Sequence, residues 1–163
     1  MRRYAAALLL LAALATAAEA RDSLGVFDAW GAFRDPQVPR CYAIAQPDEV
    51  RGTQQYRPFA SIGYWPKRGV RGQFHLRLSR AMAKGQAVTL TIGIRRFRLT
   101  GGGGDAWARD KTMDASIIAA MRSAREMTAS SEDARGNTIR DLYLLKGAAT
   151  AMDAAALGCA RRS

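Results

Sequence analysis

The segments QFHLRLSR (73–80) and AVTLTIGIRRFRLT (87–100) decide the fold class of this 163-residue chain. In the first, Phe74, Leu76 and Leu78 point to one side while His75, Arg77 and Ser79 point to the other, the period of a half-buried strand. In the second, Val88, Leu90 and Ile92 share a side opposite Thr89 and Thr91. Phe97 and Leu99 alternate too, but one residue out of phase, and a regular strand has no room for such a slip. A turn or bulge must intervene, with Gly93 the obvious place, and the reading is a hairpin whose tip holds Ile94, Arg95 and Arg96.

Outward from that hairpin, the same signals recur at short intervals. Residues 26–47 read as two strands around the turn DPQVP, although Trp30 and Phe33 fall on opposite sides of an ideal strand. PDEVRGTQQYRP (47–58) reads as polar loop and FASIGYWP (59–66) as a short apolar strand closed by Pro66. GGGGDAW (101–107) reads as flexible loop, since it lacks the Lys-Ser/Thr ending of a phosphate-cradling loop. TMDASIIAAMRSA (112–124) changes to helical spacing, with Met113, Ile117, Met121 and Ala124 on one stripe and Thr112 as N-cap. Residues 126–145 read as a second hairpin turning at Arg135-Gly136-Asn137, followed by a short Ala-rich helix with Gly158 as its C-cap. Six or seven short strands and two short helices predict a mainly β chain, a β-sandwich of antiparallel strands with helical additions.

The N-terminal stretch MRRYAAALLLLAALATAAEARDS has a basic start, an apolar run over 5–18 and the small residues Ala18 and Ala20 flanking Glu19. That is the three-part pattern of a secretory signal peptide cut after Ala20. The apolar run is shorter than the roughly 20 residues needed to span a hydrocarbon core, with an uncut interfacial anchor as the alternative. Cleavage leaves residues 21–163 as a single domain and lowers the formal charge from +11 to +10, because Arg2, Arg3 and Glu19 are lost. Export places the two cysteines in an oxidising compartment, where a Cys41–Cys159 disulfide is expected; two separately buried thiols are the alternative. With His75 the only histidine, clustered zinc ligands are not expected, and no cofactor is.

With those residues in view, the chain resembles the invasion-associated locus B family of exported bacterial proteins. The resemblance rests on the signal pattern, on WGAFRD (30–35) followed by RCYAIAQP (40–47), on AVTLTIG (87–93), and on DLYLLKGAATAMDAAALGCARR (141–162). It implies an immunoglobulin-like β-sandwich, a periplasmic or secreted location, and assistance to host-cell invasion with no defined activity. The partner it implies is an envelope or host protein.

Charge supplies a second functional expectation. Between Glu49 and Asp105 the sequence holds eleven basic residues and no acidic one. Arg71, Arg77, Arg80, Arg95, Arg96 and Arg98 are the candidate anion-binding residues, with Arg77, Arg96 and Arg98 expected on one outward face. Arg recognises phosphate and carboxylate through paired hydrogen bonds, so such a face suits an anionic lipid, lipopolysaccharide or acidic polymer. No nucleic-acid motif is evident, and a solvated Arg-rich surface is the competing reading. His75 lacks any nucleophile signature beside it, Trp30, Trp65 and Trp107 read as core or interface aromatics, and no catalytic residue is assigned.

Overall fold

A computed structural model describes residues 21–160. The signal-peptide reading, with its cleavage residues Ala18 and Ala20, lies outside the described residues. The expectation of a mainly β, antiparallel chain with two short helices is met. Eleven strands form one continuous sheet: β1 (Asp22–Phe27), β2 (Trp30–Asp35), β3 (Arg40–Ala45), β4 (Glu49–Val50), β5 (Phe59–Trp65), β6 (Val70–Arg77), β7 (Val88–Ile92), β8 (Arg95–Gly102), β9 (Asp105–Trp107), β10 (Glu126–Glu132) and β11 (Thr138–Leu144). Helix α1 (Lys111–Met121) connects β9 to β10, and α2 (Ala148–Ala160) follows β11.

The order across the sheet is β1-β2-β3-β5-β6-β9-β8-β7-β10-β11-β4, and β8 is where it bends. Residues 95–99 of β8 pair with β7, while Thr100 to Gly102 pair with β9. The two halves so joined share a single hydrophobic core. Trp30, Ile62, Phe74 and Leu76 from the first half meet Leu90, Met127 and Tyr143 from the second, all fully buried or nearly so.

The alternation that decided the fold class is realised: Phe74 and Leu76 face inward from β6, and Val88, Leu90 and Ile92 from β7. The phase slip at Gly93 is a two-residue turn, Gly93-Ile94, with Gly93 at φ +56°. The tip is therefore tighter than expected, and Arg95 and Arg96 belong to β8 itself. A second tight turn at Asp28 and Ala29 splits the first apolar stretch into β1 and β2, and within β2 Trp30 faces the core while Phe33 faces the other way, packing on Tyr42 at 5.7 Å.

Three further expectations are corrected. GGGGDAW is not a loop: Gly101 and Gly102 end β8, and Asp105 to Trp107 form β9. A Cβ at Gly101 would overlap the Asp105 carbonyl oxygen, so glycine serves close strand approach there rather than flexibility. The cap of α1 is Asp110, whose carboxylate accepts from the Met113 N–H at 2.8 Å, not Thr112. Gly158 does not cap α2 but lies inside it, where a Cβ would crowd Leu24.

Covalent and polar contacts close the structure. Ala148, Ala151, Met152 and Ala155, at helical spacing, press α2 against the first half of the sheet. Cys41 of β3 and Cys159 of α2 are joined by a disulfide with 5.7 Å between their Cα atoms. Across the halves, Trp30 Nε1 donates to the Leu144 carbonyl at 2.9 Å. Asp141 of β11 accepts from the Ser79 N–H at 2.8 Å and the Ser79 hydroxyl at 2.6 Å. Asp141 is fully buried, and that desolvation pushes its carboxyl above the ordinary range although the Ser79 bonds oppose the shift.

Candidate anion-binding face

The register of the second half builds a polar surface from its outward residues. Arg98 lies opposite Thr89, Thr89 opposite Ser130, and Ser130 opposite Arg140, giving one row across β8, β7, β10 and β11. The neighbouring row runs Arg96, Thr91, Thr128, Leu142. Strand side chains repeat every two residues, so the inward-facing Phe97, Leu99, Ala129 and Ile139 force these residues outward. With strands about 4.8 Å apart, the Arg98 and Arg140 backbones stand roughly 14 Å from each other. Arg96, Arg98 and Arg140 are exposed, and none of them enters an ion pair among the described residues. Glu126 and Glu132 fall at the two ends of β10, beyond these rows.

Only two of the six arginines singled out from the sequence belong to this face. Arg77 is on the outward side of β6, in the other half of the sheet. Its guanidinium donates to Asp105 at 2.8 Å and lies over the Tyr56 ring at 4.6 Å. Arg80 is largely buried, 3.3 Å from the Asp133 carboxylate and donating to the Thr138 carbonyl at 2.8 Å. Asp133 is held below the ordinary carboxylate range, chiefly by the Asn137 N–H, with Arg80 contributing. Arg95 sits on the inward-facing side of β8, covers Phe97 at 5.1 Å, and reaches the Ser116 carbonyl at the end of the core. Arg71 is exposed beside Pro66 and the disulfide end of α2. The one outward face expected for Arg77, Arg96 and Arg98 is thus divided, with Arg77 spent on Asp105. Arg140 was missed because it lies outside the acid-free interval; the alternation TIRDLYL places it outward, but its neighbours depend on three ladders of register.

A second constellation occupies the outward side of the first half. His75 Nε2 is 2.9 Å from Asp105 Oδ1, stacks on Trp107 at 4.8 Å and meets Phe59 edge-on at 5.1 Å. Ser61 is the cross-strand neighbour of His75, so Ser61, His75 and Asp105 sit on three adjacent strands. The hydrogen bond that would activate the serine is not among those formed by the described residues. Asp105 is moreover shared with Arg77, so its charge is already compensated rather than reserved for an imidazolium.

No protein-family model matches the chain, and no curated protein or solved structure matches it. Among the described residues no helix is long and apolar enough to cross a membrane, and no group of His, Cys, Asp and Glu side chains is placed to hold a metal ion.

Proposed function

We propose that the protein is an exported, non-enzymatic binding protein of the cell envelope that engages an anionic partner through Arg96, Arg98 and Arg140. The single observation that carries this reading is their registration across a Thr/Ser surface with no carboxylate paired to any of them. Unpaired guanidiniums keep their donors for a ligand, and the hydroxyls of Thr89, Thr91 and Ser130 supply further donors between them. The partner is an anionic lipid, lipopolysaccharide or acidic polymer, and the formal charge, +11 for the whole chain and +10 after cleavage, adds long-range attraction. Export is supported by the signal pattern and by the Cys41–Cys159 disulfide, a bond typical of oxidising compartments. The resemblance to the invasion-associated locus B family supports the same location, and a role toward the envelope or a host surface.

The test is retention on immobilised lipopolysaccharide and heparin across a salt gradient. Arg96→Gln/Arg98→Gln/Arg140→Gln is expected to weaken retention about tenfold or more, on the scale of charge-assisted hydrogen bonds. Arg71→Gln/Arg77→Gln/Arg80→Gln, which removes the same formal charge, is expected to change it far less. Equal losses in the two triple variants would show that net charge alone drives retention, and the assigned face would be wrong. A partner captured from envelope extract that survives high salt would point to a protein interface instead.

A further inference from the structure

The outward side of β3, β5 and β6 carries a groove of about 380 Å3, within the roughly 300–1,000 Å3 of small-ligand clefts. It belongs to the other half of the sheet from Arg96, Arg98 and Arg140. Its floor is the bare backbone of Gly63, across which the Trp65 indole folds so closely that a Cβ there would overlap the ring. One wall is the stack of Trp107 on His75 with Phe59 edge-on, and His75 is fixed in place by its bond to Asp105. Ser61 and Gln73 offer a hydroxyl and an amide between the rings.

The charge at this groove is one-sided. Arg21 and Arg40 line it, and none of its lining residues is acidic. The Arg40 guanidinium lies over the Tyr42 ring at 4.9 Å, while its buried Nε makes no hydrogen bond and stands 3.7 Å from Asp35. The side chain is one-third exposed, and with Nε turned to Asp35 the fork of terminal N–H groups on the aromatic face suits a planar carboxylate. Trp107 is 38 % exposed, which is high for an indole stacked on a partner and leaves a face for a ligand.

Backbone pairing narrows the kind of ligand. β3 and β5 are paired on both sides, and the part of the β6 edge that the short β9 leaves open is met by α1, whose Asp114 accepts from the Phe74 N–H at 2.8 Å, so an extended peptide finds little edge to add to as a strand. What remains is recognition by side chains: flat aromatic surfaces, short polar groups at strand spacing, and a cation at one end. A pyranose ring presents C–H faces to aromatics, equatorial hydroxyls to polar groups, and, in a uronic acid, a carboxylate to arginine. We propose that this groove binds a hexuronate-bearing oligosaccharide, its ring laid against Trp107 or Trp65 and its carboxylate held by Arg40 with Arg21.

The two indoles in the groove make tryptophan fluorescence the readout, with Trp30 buried as a constant background. The protein is titrated with trisaccharides of galacturonate, glucuronate and mannuronate, and with their methyl esters. At least one acid is expected to give a saturable change that its ester weakens about tenfold, on the scale of one charge-assisted hydrogen bond. Arg40→Gln should bring the acid down to its ester, and Trp107→Ala should weaken binding by about tenfold, the upper end for an aromatic contact. Both variants are first shown to retain the disulfide and the β-sheet circular dichroism of the parent. Arg96→Gln/Arg98→Gln/Arg140→Gln should leave the titration unchanged, which separates this site from the anion-binding face. No saturable change with any of the three acids would overturn the proposal, as would esters binding as well as acids or binding that ignores both Trp107→Ala and Arg40→Gln.

Discussion

Arg77 and Arg98 both stand on the outward side of one sheet, and both come from the same acid-free run of sequence, yet only one is free. Arg77 meets Asp105, the first acid after the run, carried to it by the pairing of β6 with β9. Arg80 likewise meets Asp133, from more than fifty residues further along the chain. Arg98 faces Thr89 and pairs with no carboxylate among the described residues, since Glu126 and Glu132 of β10 share its side of the sheet but lie beyond its row. The difference teaches that a run of like charge in sequence does not define a charged patch. Acids outside the run reach back through the fold and neutralise part of it, and the residues they leave alone are the ones available to a partner. The halves also differ in how they are closed: the first is strapped to α2 by a disulfide, the second is latched to the first by a buried carboxylate.

The largest effect should come from breaking the strap. Cys41→Ala/Cys159→Ala reopens a 118-residue separation, and chain entropy sets the loss of stability at about 5 kcal/mol. Denaturant unfolding measures the loss, and hydrogen exchange locates it. Amides of β1, β2 and β3, which carry α2, should gain exchange before those of β10 and β11. If both halves lose protection together, the closure is shared and the contrast drawn between them fails.

The latch comes next. Asp141→Ala strands the buried Ser79 N–H and hydroxyl and should cost about 3 kcal/mol. The pH dependence has a definite sign. Burial raises the folded carboxyl above its unfolded value, so the folded state binds the proton more tightly. The stability contributed by this group is complete below the unfolded Asp range and declines as pH rises through the folded value. Unfolding free energy measured from pH 3 to 7 should show that decline in the parent and lack it in Asp141→Asn. An identical slope in both would mean that the latch carries no proton linkage.

These contacts mark what could and could not be read from the residues alone. The inward alternation of β6 and β7, the turn required at Gly93 and the pairing of the two cysteines all follow from local period or from chemistry. The four glycines at 101–104 misled because composition signals flexibility, whereas Gly101 is needed where two backbones touch. The turn at Asp28 was hidden because aspartate at φ +51°, although among the residues enriched there, marks a turn far less plainly than glycine does. The anion-binding face was half legible. Arg96 and Arg98 follow from alternation with Phe97 and Leu99, but Arg140 joins them only through three successive registers, and no short-range rule supplies those.

The smallest effect is the sharpest test of the contrast between Arg77 and Arg98. A half-exposed ion pair contributes roughly 0.2–1 kcal/mol, because solvent screens it and both side chains must be held in place. A double-mutant cycle of Arg77→Gln with Asp105→Asn should give a coupling energy in that range, falling at high salt as screening grows. His75 also bonds Asp105, so the single Asp105→Asn change should cost more than Arg77→Gln alone. The same cycle with Arg98→Gln should give no coupling, since Arg98 has no partner to lose. Retention on lipopolysaccharide reverses the order: Arg98→Gln should lower it and Arg77→Gln should not. Coupling between Arg98 and Asp105 would mean that the acid reaches both arginines, and the second half of the sheet would lose its claim to unpaired charge.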